Sequence, residues 1–233
     1  MKISVVIPAY NEERAIAASL TALMAQDHPD FEVILVDNAS TDRTASVAAS
    51  IPGVTVVSES RKGTMWACER GRSAATGELV VRMDADCLPD PRWLARGAAH
   101  FSDPSVVAAT GPYDYYDASP VFRAATLIFQ KIFYRWSNWA AQRARKGAVM
   151  IGGNSFMRAS ALAAAGGFNT DYVFYGDDTD TAKRMAGQGW VVFDPRLVIR
   201  SSARRFKAQG VLDLSRKYLV HFMKVIFSKK PLR

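Results

Sequence analysis

Along the first hundred residues, short runs of β-branched and aliphatic residues alternate with stretches whose apolar positions recur every three or four residues. Val5 to Ile7 is a run closed by Pro8. The following "YNEERAIAASLTALMAQ" places Asn11 as a helix cap, acids in the first turn, and Ile16, Leu20, Leu23 and Met24 on one face. The same strand-then-helix order returns in "FEVILVDNAS" with "TDRTASVAAS", and in "GVTVVSES" with a helix from about Thr64 to Thr76 that Gly77 stops. "ELVVRMDAD" reads as a fourth strand, Pro91 to Phe101 as a helix with Trp93, Leu94, Ala98 and Phe101 inward, and "SVVAATG" as a fifth strand. Strands that are continuously apolar belong to a parallel sheet covered on both faces. The pattern therefore predicts an α/β fold with ligands at the carboxyl ends of the strands. Asp37, Asp84 and Asp86 fall at those ends.

Past residue 115 the alternation breaks. Residues 120–142, "PVFRAATLIFQKIFYRWSNWAAQ", set Phe129, Ile132, Phe133, Trp136 and Trp139 along one wide stripe, with Arg123, Gln130, Lys131, Arg135 and Asn138 elsewhere. "GAVMIGGNSFMRASALAAAGGF" predicts a strand, a Gly-Gly turn and a short helix begun at Ser160; "YGDDTDTAKRMAGQGW" predicts a helix from Asp177 or Asp178. Strands near Trp190 to Phe193 and Val198 to Arg200 precede a last amphipathic helix, about Asp213 to Phe227.

Composition changes this picture in three ways. A chain of 233 residues fits one domain with a substantial core. Two cysteines, Cys68 and Cys87, form neither a disulfide framework nor a zinc-ligand spacing, which suits a reducing cytoplasm. The 30 basic against 22 acidic residues, net +8, concentrate their excess in the second half, compatible with nucleic acid, anionic lipid or phosphorylated small molecules. The first residues read as a strand rather than a signal peptide, and no window of about 18 apolar residues suggests a spanning helix.

The candidate chemistry is acidic. Asp84 and Asp86, two apart on an extended backbone, point the same way and suit Mg2+ or Mn2+; a solvated turn is the bland reading. Asp37 reads either as an Asx turn or as an acceptor for ribose or base hydrogens. Asn11 and Glu12 can serve a helix end or a ligand. In "GDDTD", Asp177 and Asp180 resemble a capping box, yet three acids in four residues exceed what capping needs and raise a carboxyl pKa toward that of a general base.

In their order and spacing, "VVIPAYNEE", "VDNASTDRT", "DAD", "GGNSFMRASAL...GGFN" and "YGDDTDTAKR" resemble family two inverting glycosyltransferases of the GT-A fold over roughly residues 3 to 195. The resemblance implies one domain over 1–233, with a donor half at about 1–115, an acceptor half at about 116–200, and a basic tail at about 201–233. It implies a nucleotide-diphosphate-sugar donor near Pro8, Tyr10, Asn11, Glu12, Asp37 and Ala85, and a divalent metal, Mn2+ or Mg2+, on Asp86 with Asp84 close by. Asp178 would be the base in a single in-line displacement, with Gly153, Asn154 and Asp177 on the acceptor side.

The chain departs from the family pattern in places. "VIRSSARRF" lacks the downstream His common in relatives, leaving Arg204 and Arg205 as guanidinium contacts for the diphosphate. Lys62 and Arg70 stand where an Asn is frequent, Lys62 as an expected donor contact, and no Q-x-x-R-W follows the base, which favours one sugar per encounter over a processive synthase.

Segment 120–142 reads either as a core or self-association face or as a helix lying in a membrane interface; 213–230 repeats the basic amphipathic pattern, and two such segments suggest attachment to the inner face of a membrane and a lipid-linked acceptor. The rivals explain less. A nucleotidyltransferase or dinucleotide-binding enzyme needs a Gly-rich phosphate loop after the first strand, where "PAYNEE" is acidic and glycine-free. A nucleic-acid or membrane-binding module accounts for none of the five motifs, and nucleic acid is not an expected partner.

Overall fold

The computed structural model of the chain describes residues 1–172, 176–211, 213, 216, 217 and 220. The first half follows the strand-and-helix alternation of the sequence. It runs β1 (Ile3–Ala9), α1 (Ile16–Met24), β2 (Phe31–Asp37), α2 (Thr44–Ala49), β3 (Val54–Ser58), α3 (Thr64–Ala74), β4 (Leu79–Met83), α4 (Trp93–Ala99), a 3-10 turn and β5 (Val106–Thr110). The second half comprises β6 (Tyr113–Tyr115), α5 (Pro120–Phe129), a π-helical stretch (Gln130–Tyr134), α6 (Arg135–Arg143), β7 (Asn154–Arg158), α7 (Ala159–Ala164), α8 (Asp177–Ala186), β8 (Trp190–Phe193), β9 (Ile199–Ser201) and α9 (Arg204–Gln209).

Seven strands form one sheet in the order β3-β2-β1-β4-β7-β5-β8. All neighbours are parallel except β7, which runs antiparallel to both β4 and β5. A parallel pair, β6 and β9, lies apart. Successive residues of β1 enter opposite layers: Ile3, Val5 and Ile7 pack with Ile16, Leu20, Trp93 and Leu94, while Val6 packs with Met65, Cys68, Ala182 and Met185. Burial on both faces is why these strands show no polar alternation.

Several local expectations shift. Helix α1 starts at Ile16, not after Asn11; Asn11 takes a left-handed backbone (φ 55°) and its Oδ1 accepts from the Thr41 N–H at 2.8 Å, an arrangement Asn tolerates better than most residues. Met24 is exposed, so the buried face of α1 is Ile16, Ser19, Leu20 and Leu23. In "GAVMIGGNSFMR" the strand follows the two glycines rather than preceding them, because 154–158 alone pairs with β4 and β5. The last amphipathic helix, about Asp213 to Phe227, and its 213–230 basic face lie for the most part outside the described residues. Among the described residues no helix is long and apolar enough to cross a membrane.

Candidate active site

Strand β4 delivers the central group. Leu79, Val81 and Met83 face one layer, so Val80 and Arg82 face the other, toward α3 and α8. The strand stops at Met83 and the chain turns at once, the Cys87 N–H bonding the Asp84 carbonyl at 3.1 Å. Asp84 and Asp86 therefore sit on a turn and not on the extended backbone expected from their spacing, yet both line the same cleft.

That cleft, of about 380 Å3, is walled by Pro8, Tyr10, Glu12, Asn38, Lys62, Asp84, Ala85, Asp86, Arg204 and Arg205 among others. Its size falls within the usual range for small-molecule sites. Nine of the eleven residues expected to meet donor or metal are thus brought together: Pro8, Tyr10, Glu12, Lys62, Asp84, Ala85, Asp86, Arg204 and Arg205. Asn11 and Asp37 do not line it; the wall beyond β2 is Asn38, whose amide holds the Glu59 and Arg61 carbonyls and the Gly63 N–H. Asp37 ends β2 with its Oδ1 buried and without a hydrogen-bond partner, an unsatisfied acceptor of the kind a ligand donor relieves.

Across the cleft mouth, the Arg204 guanidinium donates to both Glu12 carboxylate oxygens and places Nε 3.1 Å from Asp86 Oδ2. Glu12 is thus committed to α9 and not to the start of α1. Burial, reinforced by the Asp84 charge and opposed by Arg204, pushes the Asp86 carboxyl up to about 6. Asp84 Oδ2 accepts from the Tyr113 hydroxyl at 2.9 Å. A smaller pocket continues the cleft past Asp84, Asp86, Tyr113, Tyr115, Ser201 and Arg205.

The base candidate arrives from α8. Gly176, in the left-handed region (φ 86°), precedes the helix, and no side chain caps its end. The capping-box reading of "GDDTD" gives way to ion pairs: Asp180 binds Arg184 at 2.8 Å, while Asp177 and Asp178 reach across to Arg82 Nη1 at 2.9 and 3.0 Å. Arg82 also lies 4.0 Å from Asp84, so one buried guanidinium joins the turn after β4 to the start of α8. Burial raises the Asp178 carboxyl to about 7; the Asp177 charge adds to the rise, and Arg82 and the Gly152 N–H oppose it.

The glycine pair is fitted against these acids. A Cβ on Gly152 would lie 2.1 Å from Asp178 Oδ1, and one on Gly153 2.2 Å from both Asp84 Cγ and the Tyr113 hydroxyl. Asn154, expected on the acceptor side, is fully buried instead. Its Oδ1 accepts from the Trp93 indole N–H at 2.9 Å, and its Nδ2 donates to the Gly111 and Leu197 carbonyls at 2.9 and 2.8 Å, leaving no group for an acceptor.

Arg82, Tyr113 and Gly152 are the site residues missing from the sequence expectations. For Arg82 the signal is present, a lone cation inside "LVVRM"; for Tyr113 nothing local distinguishes it.

The sequence and the fold recur in known proteins. Residues 4–166 match the model of the family described as Glycosyl transferase family 2. The uncharacterized glycosyltransferase alr2836 of Nostoc sp. is 32% identical over 124 residues, 51% of this chain and 38% of the relative. The undecaprenyl-phosphate 4-deoxy-4-formamido-L-arabinose transferase of an Enterobacter species is 35% identical over 136 residues, 54% of this chain and 42% of the relative. The chain thus spans about two fifths of the length of these relatives. Among solved structures, the mannosyltransferase PcManGT from Pyrobaculum calidifontis, in complex with GDP-Man and Mn2+, superposes with a TM-score of 0.75 at 29% identity, over 99% of this chain and 66% of that one. The mixed sheet and flanking helices are those of a GT-A fold, and with most of its length matching the family model, this chain belongs to glycosyl transferase family 2.

Proposed function

We propose that the chain moves one sugar, with inversion, from a nucleotide-diphosphate-sugar to an acceptor hydroxyl, with Asp178 as the base. The observation that carries this reading is the Arg82 bridge. It holds Asp178 beside the turn bearing Asp84 and Asp86, so a proton acceptor poised near neutrality is tied through one guanidinium to a carboxylate of the cleft that suits a donor. The donor lies along Pro8, Tyr10 and Lys62, with its diphosphate toward Asp86, Arg204 and Arg205. Asp178 takes the hydroxyl proton as the oxygen attacks the anomeric carbon, and the guanidinium groups meet the charge growing on the departing diphosphate.

A divalent cation, Mn2+ or Mg2+, fits the pair Asp86 and Asp84: two hard carboxylates line one cleft, and the Asp86 carboxyl is raised first by burial and then by the Asp84 charge, both of which a bound cation would offset. Bound there, it would supply positive charge to the leaving diphosphate. Among the described residues no cluster of three or more His, Cys, Asp or Glu side chains is arranged for a metal; a cation held by Asp86 and Asp84 would take its remaining ligands from donor phosphates and water. The Mn2+ bound to PcManGT supports the same choice. A polyprenyl-phosphate acceptor in a similar enzyme supports a lipid-linked acceptor here.

Calorimetry with UDP and GDP, with and without Mn2+, tests the reading. Binding should require the metal, Asp86→Ala should abolish it, and Asp178→Asn should keep binding while losing turnover. Metal-independent binding, or full turnover by Asp178→Asn, would refute it.

A further inference from the structure

Residues 120–143 form one continuous helical rod from α5 through the π stretch to α6, and its polarity is inverted relative to an ordinary surface helix. Its only buried residues are polar, Gln130 and Asn138. Large apolar side chains face out instead: Ile128 is 58% exposed, Ile132 67%, Trp136 61% and Trp139 52%. Phe129 and Phe133 stack on this outer face with ring centroids 4.9 Å apart.

The inner face explains the orientation. Gln130 clamps both backbone groups of Tyr113 at 2.9 and 3.0 Å. Asn138 holds the Val191 carbonyl and the Val149 N–H at 2.9 Å each, and Gln142 holds the Val191 carbonyl and N–H at 2.8 Å each. Since β8 is the edge of the sheet, these amides occupy backbone groups that an edge strand leaves open. Amide hydrogen bonds fix which side of the rod is inward, and they leave the aromatic stripe outward.

Charge identifies what the stripe meets. From 118 to 170 the chain contains no Asp or Glu, while Arg123, Lys131, Arg135, Arg143, Arg145 and Lys146 lie on or just after the rod. Arg123 is paired with Asp114 beside the rod, but the rod itself carries no acid, so a second copy placed on this face by two-fold symmetry would set like charges against each other. Trp and Phe with flanking Arg and Lys match an interfacial helix in an anionic leaflet, where rings enter the headgroup boundary and cations meet lipid phosphates.

We propose that the 120–143 rod lies on an anionic bilayer with the Ile132, Phe133, Trp136 and Trp139 side chains inserted. This deepens the glycosyltransfer reading. Through Gln130 and Tyr113 the inner face of the rod connects to Asp84, so a bilayer on the outer face would lie one helix diameter, ~10 Å, from that contact, and an acceptor carried by lipid would be presented near the cleft.

The test is co-sedimentation of the full chain with phosphatidylglycerol-containing and with pure phosphatidylcholine vesicles, at low and physiological salt. Anionic vesicles should be bound at least tenfold better, with binding weakened by salt. Because the tail also carries cations, the rod is tested by Phe133→Ser/Trp136→Ser, exposed positions whose replacement should lower partitioning at least tenfold while leaving metal-dependent nucleotide binding unchanged. Equal binding to both vesicle types, wild-type partitioning by the double variant, or a dimer in light scattering that the double variant dissolves would each overturn the proposal. Loss of nucleotide binding in the wild type would instead strike the glycosyltransfer reading and leave the vesicle result standing.

Discussion

Arg82 occupies a strand position where every neighbour is apolar and buried, and three carboxylates, Asp84, Asp177 and Asp178, converge on it. Removing the cation leaves those acids facing each other, so Arg82→Met should cost about 3–5 kcal/mol, the usual penalty for breaking a buried pair, read by urea denaturation. Its effect on rate has a definite sign. Asp178 must be deprotonated to accept a proton, so kcat/KM should rise with pH up to about 7 and then level off. Arg82 lowers the Asp178 pKa; in Arg82→Met the bend should move to higher pH, whereas a purely structural loss would lower the profile without moving it. Gly152→Ala makes a second prediction. Its Cβ, 2.1 Å from Asp178 Oδ1, must displace the base, and a misplacement of about 1 Å costs on the order of 100-fold in kcat. Nucleotide binding, measured by calorimetry, should persist. Neither residue's role was legible from spacing, since Arg82 meets acids 95 and 96 positions away that only the fold brings near.

At the scale of elements, legibility followed burial. Strands β1, β2, β4 and β5 and helices α3 and α4 stood out because burial against the sheet imposes apolar patterns on them, while β3, an edge strand with no buried residue, stood out by its run of valines. Where polar side chains take tertiary partners, local rules misled: Asn11 went to Thr41, Glu12 to Arg204, and Asp177 to Arg82, each of which the sequence offered to a helix end. Asn154 shows the same substitution of roles, an apparent site residue serving as the junction of α4, β5 and the chain before β9. The rod is the mirror case, since a stripe of Trp and Phe suggests a core face and three amides reverse it. Asn138→Ala should therefore cost more than its small hydrophobic change suggests. It strands the Val149 N–H, worth about 1–3 kcal/mol for a buried unsatisfied group, while Gln142 still serves the Val191 carbonyl. Urea unfolding of Asn138→Ala beside Trp139→Ala, an exposed neighbour expected to change stability by less than about 0.5 kcal/mol, checks the polarity of the rod directly.

Over the whole molecule, one sheet joins the part that lines the donor cleft to the part that supplies Asp178. The antiparallel β7 inserted between β4 and β5 makes that join, and its direction was not legible because the pattern of buried residues along a central strand is the same whichever way it runs. Cleft residues come from the end of β1 and the chain after it, the chain after β2 and β3, the turn after β4 and the start of α9, so a ligand bound there ties together segments almost 200 positions apart. Nucleotide binding should accordingly stabilise the sheet as a unit, in a single thermal transition. At a nucleotide concentration of about 100 Kd, with Mn2+ present, the gain is about 2.7 kcal/mol. For a chain of this size each kcal/mol moves Tm by about 2–4 °C, so calorimetric scans should show a rise of about 5–10 °C by those relations. Asp86→Ala should show no rise with the same additions, because the metal-dependent contact is lost while the apolar core is untouched. Asp178→Asn should keep the whole shift, since the role proposed for its carboxylate is toward the acceptor and not the donor. A shift confined to a separate, lower transition would mean that the donor-lining part unfolds independently of β7 and α8, and would break the link between cleft and base on which the proposed reaction depends.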